Sequence, residues 1–198
     1  MIGARIAQRR YRISVALAVV LPVAFVFFLV AILRGASPTA GGMAIADYSA
    51  PAVSENRPAP GFTLPNLAGA GSTSLDQFSG HPLVLTFWSS VCPPCRQEAP
   101  FLRMAWKLYG RRGIRFLGVD HRDDRAPAVA FATDLGLPFT SVYDREGRLA
   151  GRYAVFGLPT TFVIRPDGRI AYRITGRVDA TNLRTALDRL LDSSGPAP

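Results

Sequence analysis

Cysteine is scarce in this chain, with two residues in 198. That excludes a disulfide-rich scaffold and a four-thiolate zinc site. Histidine is equally scarce, at His81 and His121, so a metal site has few nitrogen ligands to draw on. Lysine is almost missing: of the 23 basic residues only Lys107 is not arginine. Acidic residues are absent from the first 34 positions, where Arg5, Arg9, Arg10, Arg12 and Arg34 stand. The rest of the chain holds 18 basic and 14 acidic residues, so more than half of the formal charge of +9 belongs to one short segment. The charge therefore gives little support to nucleic-acid binding. An apolar fraction of 48% excludes a disordered chain and suits one globular domain.

Ile13 to Leu33 is an uncharged run of 21 residues, interrupted only by Ser14 and Pro22. As a helix it spans about 31 Å, against a hydrocarbon core of ~30 Å. Four arginines precede it and one follows, and the next is Arg57. This asymmetry predicts a basic cytoplasmic N-terminus over residues 1–12 and a single-pass anchor over 13–33, with everything after it outside the cytoplasm. A cleaved signal peptide is the competing reading, but its apolar region is shorter, ~7–15 residues. Ala44-Ile45-Ala46 resembles a cleavage site yet lies well past the run, and Arg9-Arg10 matches a twin-arginine signal poorly. No cysteine follows the run closely, against a lipoprotein. Residues 34–60 are rich in Gly, Ala, Ser and Pro without hydrophobic period, and read as a flexible tether. A folded domain is expected over 61–193, with a tail over 194–198.

Within that domain strands and helices alternate. Leu83 to Trp88 reads as a strand, Pro93 to Tyr109 as a helix and Ile114 to Val119 as a strand. Ala126 to Leu135 reads as a helix and Thr140 to Tyr143 as a short strand. Thr160–Ile164 and Ile170–Thr175 flank Pro166-Asp167-Gly168, a hairpin signal. Ala180 to Leu191 is amphipathic, with Leu183, Leu187, Leu190 and Leu191 on one face. Residues 62–82 read as an added hairpin or short strand. The order implies an α/β fold with a mixed central sheet and helices on both faces.

Cys92-Pro93-Pro94-Cys95 lies between the first strand and its helix. Cys92 stands at the N-cap, where the helix dipole favours a thiolate, and Cys95 lies one turn on. So small a loop removes little chain entropy, which argues against a purely structural disulfide. Haem attachment needs His where Arg96 stands, and zinc needs two further ligands. A redox-active dithiol remains, with no metal or other cofactor required. Pro94 has no N–H, so the N-cap sulfur keeps only the Cys95 amide as donor. Fewer donors stabilise the thiolate less, which predicts a reductant rather than a strong oxidant.

Cys95, Glu98, Ala99, Leu102 and Trp106 share one helix face. Glu98 there is a candidate proton carrier for thiol exchange, against the alternative of a surface carboxylate paired with Arg96 or Arg103. Pro100 should kink the helix. Pro159, before a strand at a tight turn, is a candidate cis residue. Phe62, Trp88, Trp106, Phe116 and Phe162 are expected in the core. His121 receives no role, and Arg122-Asp123-Asp124-Arg125 reads as a solvated loop.

These residues resemble the thioredoxin superfamily, and within it the membrane-anchored TlpA/ResA/CcmG group. The resemblance covers about residues 60–191. It is carried by Phe62-Thr63-Leu64, by Thr86-Phe87-Trp88-Ser89-Ser90 leading into Cys92-Pro93-Pro94-Cys95, by Glu98 and Pro100, and by Gly157-Leu158-Pro159-Thr160-Thr161-Phe162. It implies a thioredoxin-like fold, a cis Pro159 beside the cysteines, Cys92 as attacking thiol and Cys95 as resolving thiol. It implies an extracytoplasmic thiol:disulfide oxidoreductase acting on protein disulfides, such as those of apocytochrome c, re-reduced by an integral membrane thiol carrier of the CcdA/DsbD kind. A monomer is expected. Val91 replaces a Trp that commonly precedes the first cysteine. Thr86 stands where cytoplasmic thioredoxins carry a buried Asp, which leaves proton handling to Glu98. Thr160 stands where CcmG-like members often have Glu, which favours the ResA or TlpA pattern. An oxidase or isomerase of secreted proteins and a metal-delivery module are the competing functions, the latter lacking a convincing His or Met ligand near the cysteines.

Overall fold

The computed structural model describes residues 49–193. The expected anchor over 13–33 lies outside them, with residues 1–12, the first part of the tether and the tail over 194–198. Among the described residues no helix is long and apolar enough to cross a membrane.

The strands are β1 (Val53–Pro58), β2 (Thr63–Pro65), β3 (Ser72–Ser74), β4 (Leu83–Trp88), β5 (Arg115–His121), β6 (Ser141–Asp144), β7 (Thr160–Ile164) and β8 (Arg169–Thr175). The α-helices are α1 (Pro93–Tyr109), α2 (Arg125–Asp134), α3 (Arg148–Arg152) and α4 (Asn182–Ser193). Six strands form one sheet in the order β1-β8-β7-β4-β5-β6, and β2 pairs with β3 in a separate hairpin. β4 runs parallel to β5 and β5 to β6, while β7 is antiparallel to β4 and β8 to β7. The mixed sheet predicted from the sequence is therefore present.

Every residue of β4 is buried, as expected of a central strand covered on both faces. Its alternate side chains enter two cores. Val84 packs with Leu102 and Tyr109 of α1 and Leu183, Leu187 and Leu190 of α4. Leu83, Leu85 and Phe87 pack with Phe62, Phe162 and Leu149 and Tyr153 of the α3 region. A third cluster joins Trp88, both cysteines, and Ala128 and Phe131 of α2. The β7–β8 turn closes with Gly168 at φ +77°, a left-handed conformation that glycine adopts without steric cost. α1 runs unbroken through Pro100.

Three expectations need correction, and one helix was not anticipated. Residues 53–58 of the expected tether form β1, the edge strand paired with β8. Only Val53 among them is a large apolar residue, so no period of two is visible. Polar contacts hold this strand instead: Glu55 meets both Arg57 and Arg173 at 2.9 Å. Helix α3 has no sequence signal because it is a single short turn. Its N–H groups at Leu149 and Ala150 donate to the Asp144 carboxylate at 3.2 and 3.0 Å. Trp106 is 40% exposed, because the buried stripe of the second half of α1 runs through Leu102, Ala105 and Tyr109. The Arg122–Arg125 segment is not a free loop: Arg125 donates to the carbonyls of Asn66 and Leu67 at 2.8 Å and stacks over Tyr143.

Candidate active site

β4 delivers the chain into Ser89-Ser90-Val91, and α1 begins immediately after Cys92. Cys92 and Cys95 form a disulfide, with their Cα atoms 5.3 Å apart. Cys92 Sγ is the N-cap acceptor and receives the Cys95 N–H at 3.2 Å. This single donor is the one the two prolines leave available. Both cysteines are buried within the Trp88–Phe131 cluster. Cys92 lines a surface cavity of about 350 Å³, with Ser90, Val91, Pro93, Arg96 and Gln97. Val91 is 82% exposed at its rim.

Glu98 lies one turn beyond Cys95 and has no exposed surface. Its Oε1 accepts from Thr86 Oγ1 at 3.4 Å, and its Oε2 from the Val178 N–H at 3.0 Å. Thr86 in turn accepts from Thr161 Oγ1 at 3.0 Å. Burial pushes the Glu98 carboxyl up to about 8, although these two bonds and the Arg177 charge pull the other way. The surface pairing with Arg96 or Arg103 is absent. The Arg96 guanidinium lies over the Phe131 ring, and Arg103 donates to the Leu135 carbonyl.

The Leu158–Pro159 peptide bond is cis. Thr160 is opposite Phe87 in the antiparallel ladder, which brings Pro159 level with the end of β4 where the cysteine loop begins. Leu158 packs against the cluster that contains both cysteines. Fold topology thus gathers Cys92, Cys95, Glu98 and the Pro159 turn at one end of the sheet.

Two features were not anticipated from the sequence. Asp123 binds the cysteine loop. Its carboxylate accepts from the Ser90 N–H, from Ser90 Oγ at 3.0 Å and from Ser89 Oγ at 3.1 Å. Burial opposes its charge, but these bonds outweigh it and hold the acid below the usual carboxylate range. Phe156, in the loop that leads to Pro159, is 94% exposed. Nothing in the local sequence marks the Asp123 role, since it depends on which loops the sheet brings together. Among the described residues no cluster of three or more His, Cys, Asp or Glu side chains is arranged to hold a metal ion.

Residues 56–173 match the AhpC/TSA family. The chain is 31% identical over 139 residues to thiol-disulfide oxidoreductase ResA of Geobacillus thermodenitrificans, covering 70% of this chain and 79% of that protein. It is 40% identical over 124 residues to thiol:disulfide interchange protein DsbE of Yersinia pestis, covering 61% of this chain and 63% of that protein. A DsbE-like crystal structure from Chlorobium tepidum superposes with a TM-score of 0.66 at 28% identity, covering 70% of this chain and 99% of the other. The fold, the Cys-X-X-Cys disulfide at a helix N-terminus and these relatives agree, and the chain belongs to the AhpC/TSA family as a thioredoxin-fold thiol:disulfide oxidoreductase of the ResA and DsbE type.

Proposed function

We propose that this oxidoreductase works as a membrane-tethered reductant of protein disulfides on the extracytoplasmic side, anchored through residues 13–33. The observation that carries the reading is the Cys92–Cys95 disulfide with a fully buried Glu98 one turn behind it. Cys92 attacks: its thiolate adds to one sulfur of the client disulfide, forms a mixed disulfide and expels the other client sulfur as a thiolate that takes up a proton. Cys95 then attacks Cys92 Sγ, which releases the second client thiol and restores the Cys92–Cys95 bond. Glu98 in its ionised form takes the Cys95 proton as that thiol becomes a nucleophile. An acid titrating near 8 is well matched to a thiol of ordinary pKa ~8.5. The Pro159 turn lines the surface where the client backbone lies. Apocytochrome c cysteines awaiting haem are suitable clients, and a membrane dithiol carrier of the CcdA/DsbD kind suits re-reduction.

The single N–H donor on Cys92 Sγ supports the reducing direction, because a thiolate with few donors gains little stabilisation. Two measurements test the proposal. A full-length Cys95→Ser chain should accumulate clients as mixed disulfides on Cys92, and membrane cytochrome precursors should be among them. The reduction potential should lie well below ~−120 mV, the value of the strongly oxidising class. A potential at that value overturns the reducing role and favours an oxidase.

A further inference from the structure

A second buried acid lies on β5, level with the end of β4 where the cysteine loop begins. Asp120 of β5 is fully buried, and both its carboxylate oxygens lack hydrogen-bond partners among the described residues. Its register partner on β4 is Trp88, which packs against both cysteines. Trp88 Nε1 and Ser141 Oγ are likewise buried without hydrogen-bond partners among the described residues. Both converge on the face of Gly118. A Cβ at Gly118 would stand 2.2 Å from Ser141 Oγ and 2.7 Å from Trp88 Nε1. Gly118 and Asp120 are two residues apart, so they share that face of β5. A polar patch thus lies on a buried face of the sheet, beside the Trp88 that packs against the disulfide, where apolar packing is the ordinary outcome.

We propose that Asp120 is a second proton-holding, positioning residue for the dithiol, acting on Cys92 from the β6 side through Asp123 and the Ser89–Ser90 loop. The proposal rests on the reading of Cys92–Cys95 as the redox couple. Burial first, and then the neighbouring Asp123 charge, push the Asp120 carboxyl up to about 8. While Asp120 keeps its proton, Asp123 carries the only charge of the pair and grips the Ser90 amide and both serine hydroxyls. Ionising Asp120 sets two like charges side by side and disfavours a thiolate on Cys92. The other charges acting on Asp120 are Arg125 at the start of α2, which favours ionisation, and Asp144 of β6, which opposes it. His121 is the adjacent residue on β5, with its Nδ1 3.9 Å from Asp144. Tyr143 of β6 is paired with Asp120 in register and directs its hydroxyl to the Asp123 carbonyl. β4 carries no charged side chain and sets Trp88 opposite Asp120. Electrons still pass from an incoming dithiol to the Cys92–Cys95 bond. That dithiol leaves as a disulfide, and its two protons end on the cysteine sulfurs. Asp120 exchanges its own proton with water.

The test uses reduced full-length chain in a Cys95→Ser background, so that only Cys92 reports. Its alkylation rate by iodoacetamide is followed from pH 5 to pH 10. Two inflections are expected, one from the Cys92 thiol and one near pH 8. Asp120→Asn should lose the second inflection, whereas Glu98→Gln should keep it. The same two-step profile in Asp120→Asn overturns the proposal, as does a single-step profile in the parent. Should Asp120→Asn fail to fold, the infrared carboxyl C=O band of the Glu98→Gln chain decides. A protonated-acid band at pH 7 that fades by pH 9 and shifts on reduction of Cys92–Cys95 supports the role, and its absence overturns it. Disulfide reduction by the unaltered chain at one pH tests the functional reading separately.

Discussion

Glu98 lost every water contact on folding and gained two hydrogen bonds, from Thr86 and Val178. A glutamine there keeps the shape and cannot accept a proton from Cys95. Glu98→Gln should slow the release of a mixed disulfide by about 10²-fold or more at pH 7. Stopped-flow rates of that release step should also lose the part of their pH dependence that Glu98 contributes. Tyr153 offers a stability test. Its hydroxyl is buried without a hydrogen-bond partner among the described residues. Leaving a polar group in that state costs about 1–3 kcal/mol. Tyr153→Phe should therefore raise stability by about 1 kcal/mol in thermal or urea unfolding, with exchange activity unchanged.

At the scale of elements, the packing of the Trp88 and Ser141 side chains from β4 and β6 over β5 depends on Gly118. Gly118→Ala should destabilise the domain by about 1–3 kcal/mol. The double variant with Ser141→Ala should recover part of that loss, because the two side chains compete for one space. Urea midpoints for the four chains of this cycle give the coupling. Some elements were plain in the sequence. Pro93–Tyr109 was bounded correctly because the cysteine N-cap, the prolines of the first turn and the apolar spacing agree. α4 was recognised from its leucine face, although its start lies two residues later, at Asn182. β1 was not legible, since Val53-Ser54-Glu55-Asn56-Arg57-Pro58 reads like a linker. Its strand state comes from the free edge of β8 and from the Arg173–Glu55 pair, 118 residues apart in the chain. Trp106 was misread because helical periodicity gives a face but not its partner.

At the scale of the whole molecule, two buried acids set a pH dependence of folding. The carboxyls of Glu98 and Asp120 titrate near 8 when folded, against ordinary values of 4.5 and 3.8. Between those limits the folded chain holds protons that the unfolded chain has released. Stability should therefore fall as pH rises from about 4 to 8, and the contribution of these groups should level off above 8. Melting temperatures from pH 5 to pH 9 should show that decline, and Glu98→Gln should flatten part of it.

The sequence by itself determined the chemistry. Two cysteines, three positions apart after a strand, with prolines between them, specify a dithiol at a helix N-terminus and even its single remaining amide donor. Local spacing suffices there because every atom involved lies within one turn of helix. Only the tertiary structure decided that Glu98 is a buried acid rather than a surface one, that Asp123 grips the cysteine loop, and that Asp120 is buried beside Trp88. Proton affinity depends on water excluded and charges gathered by strands distant in sequence, and no local pattern encodes that enclosure.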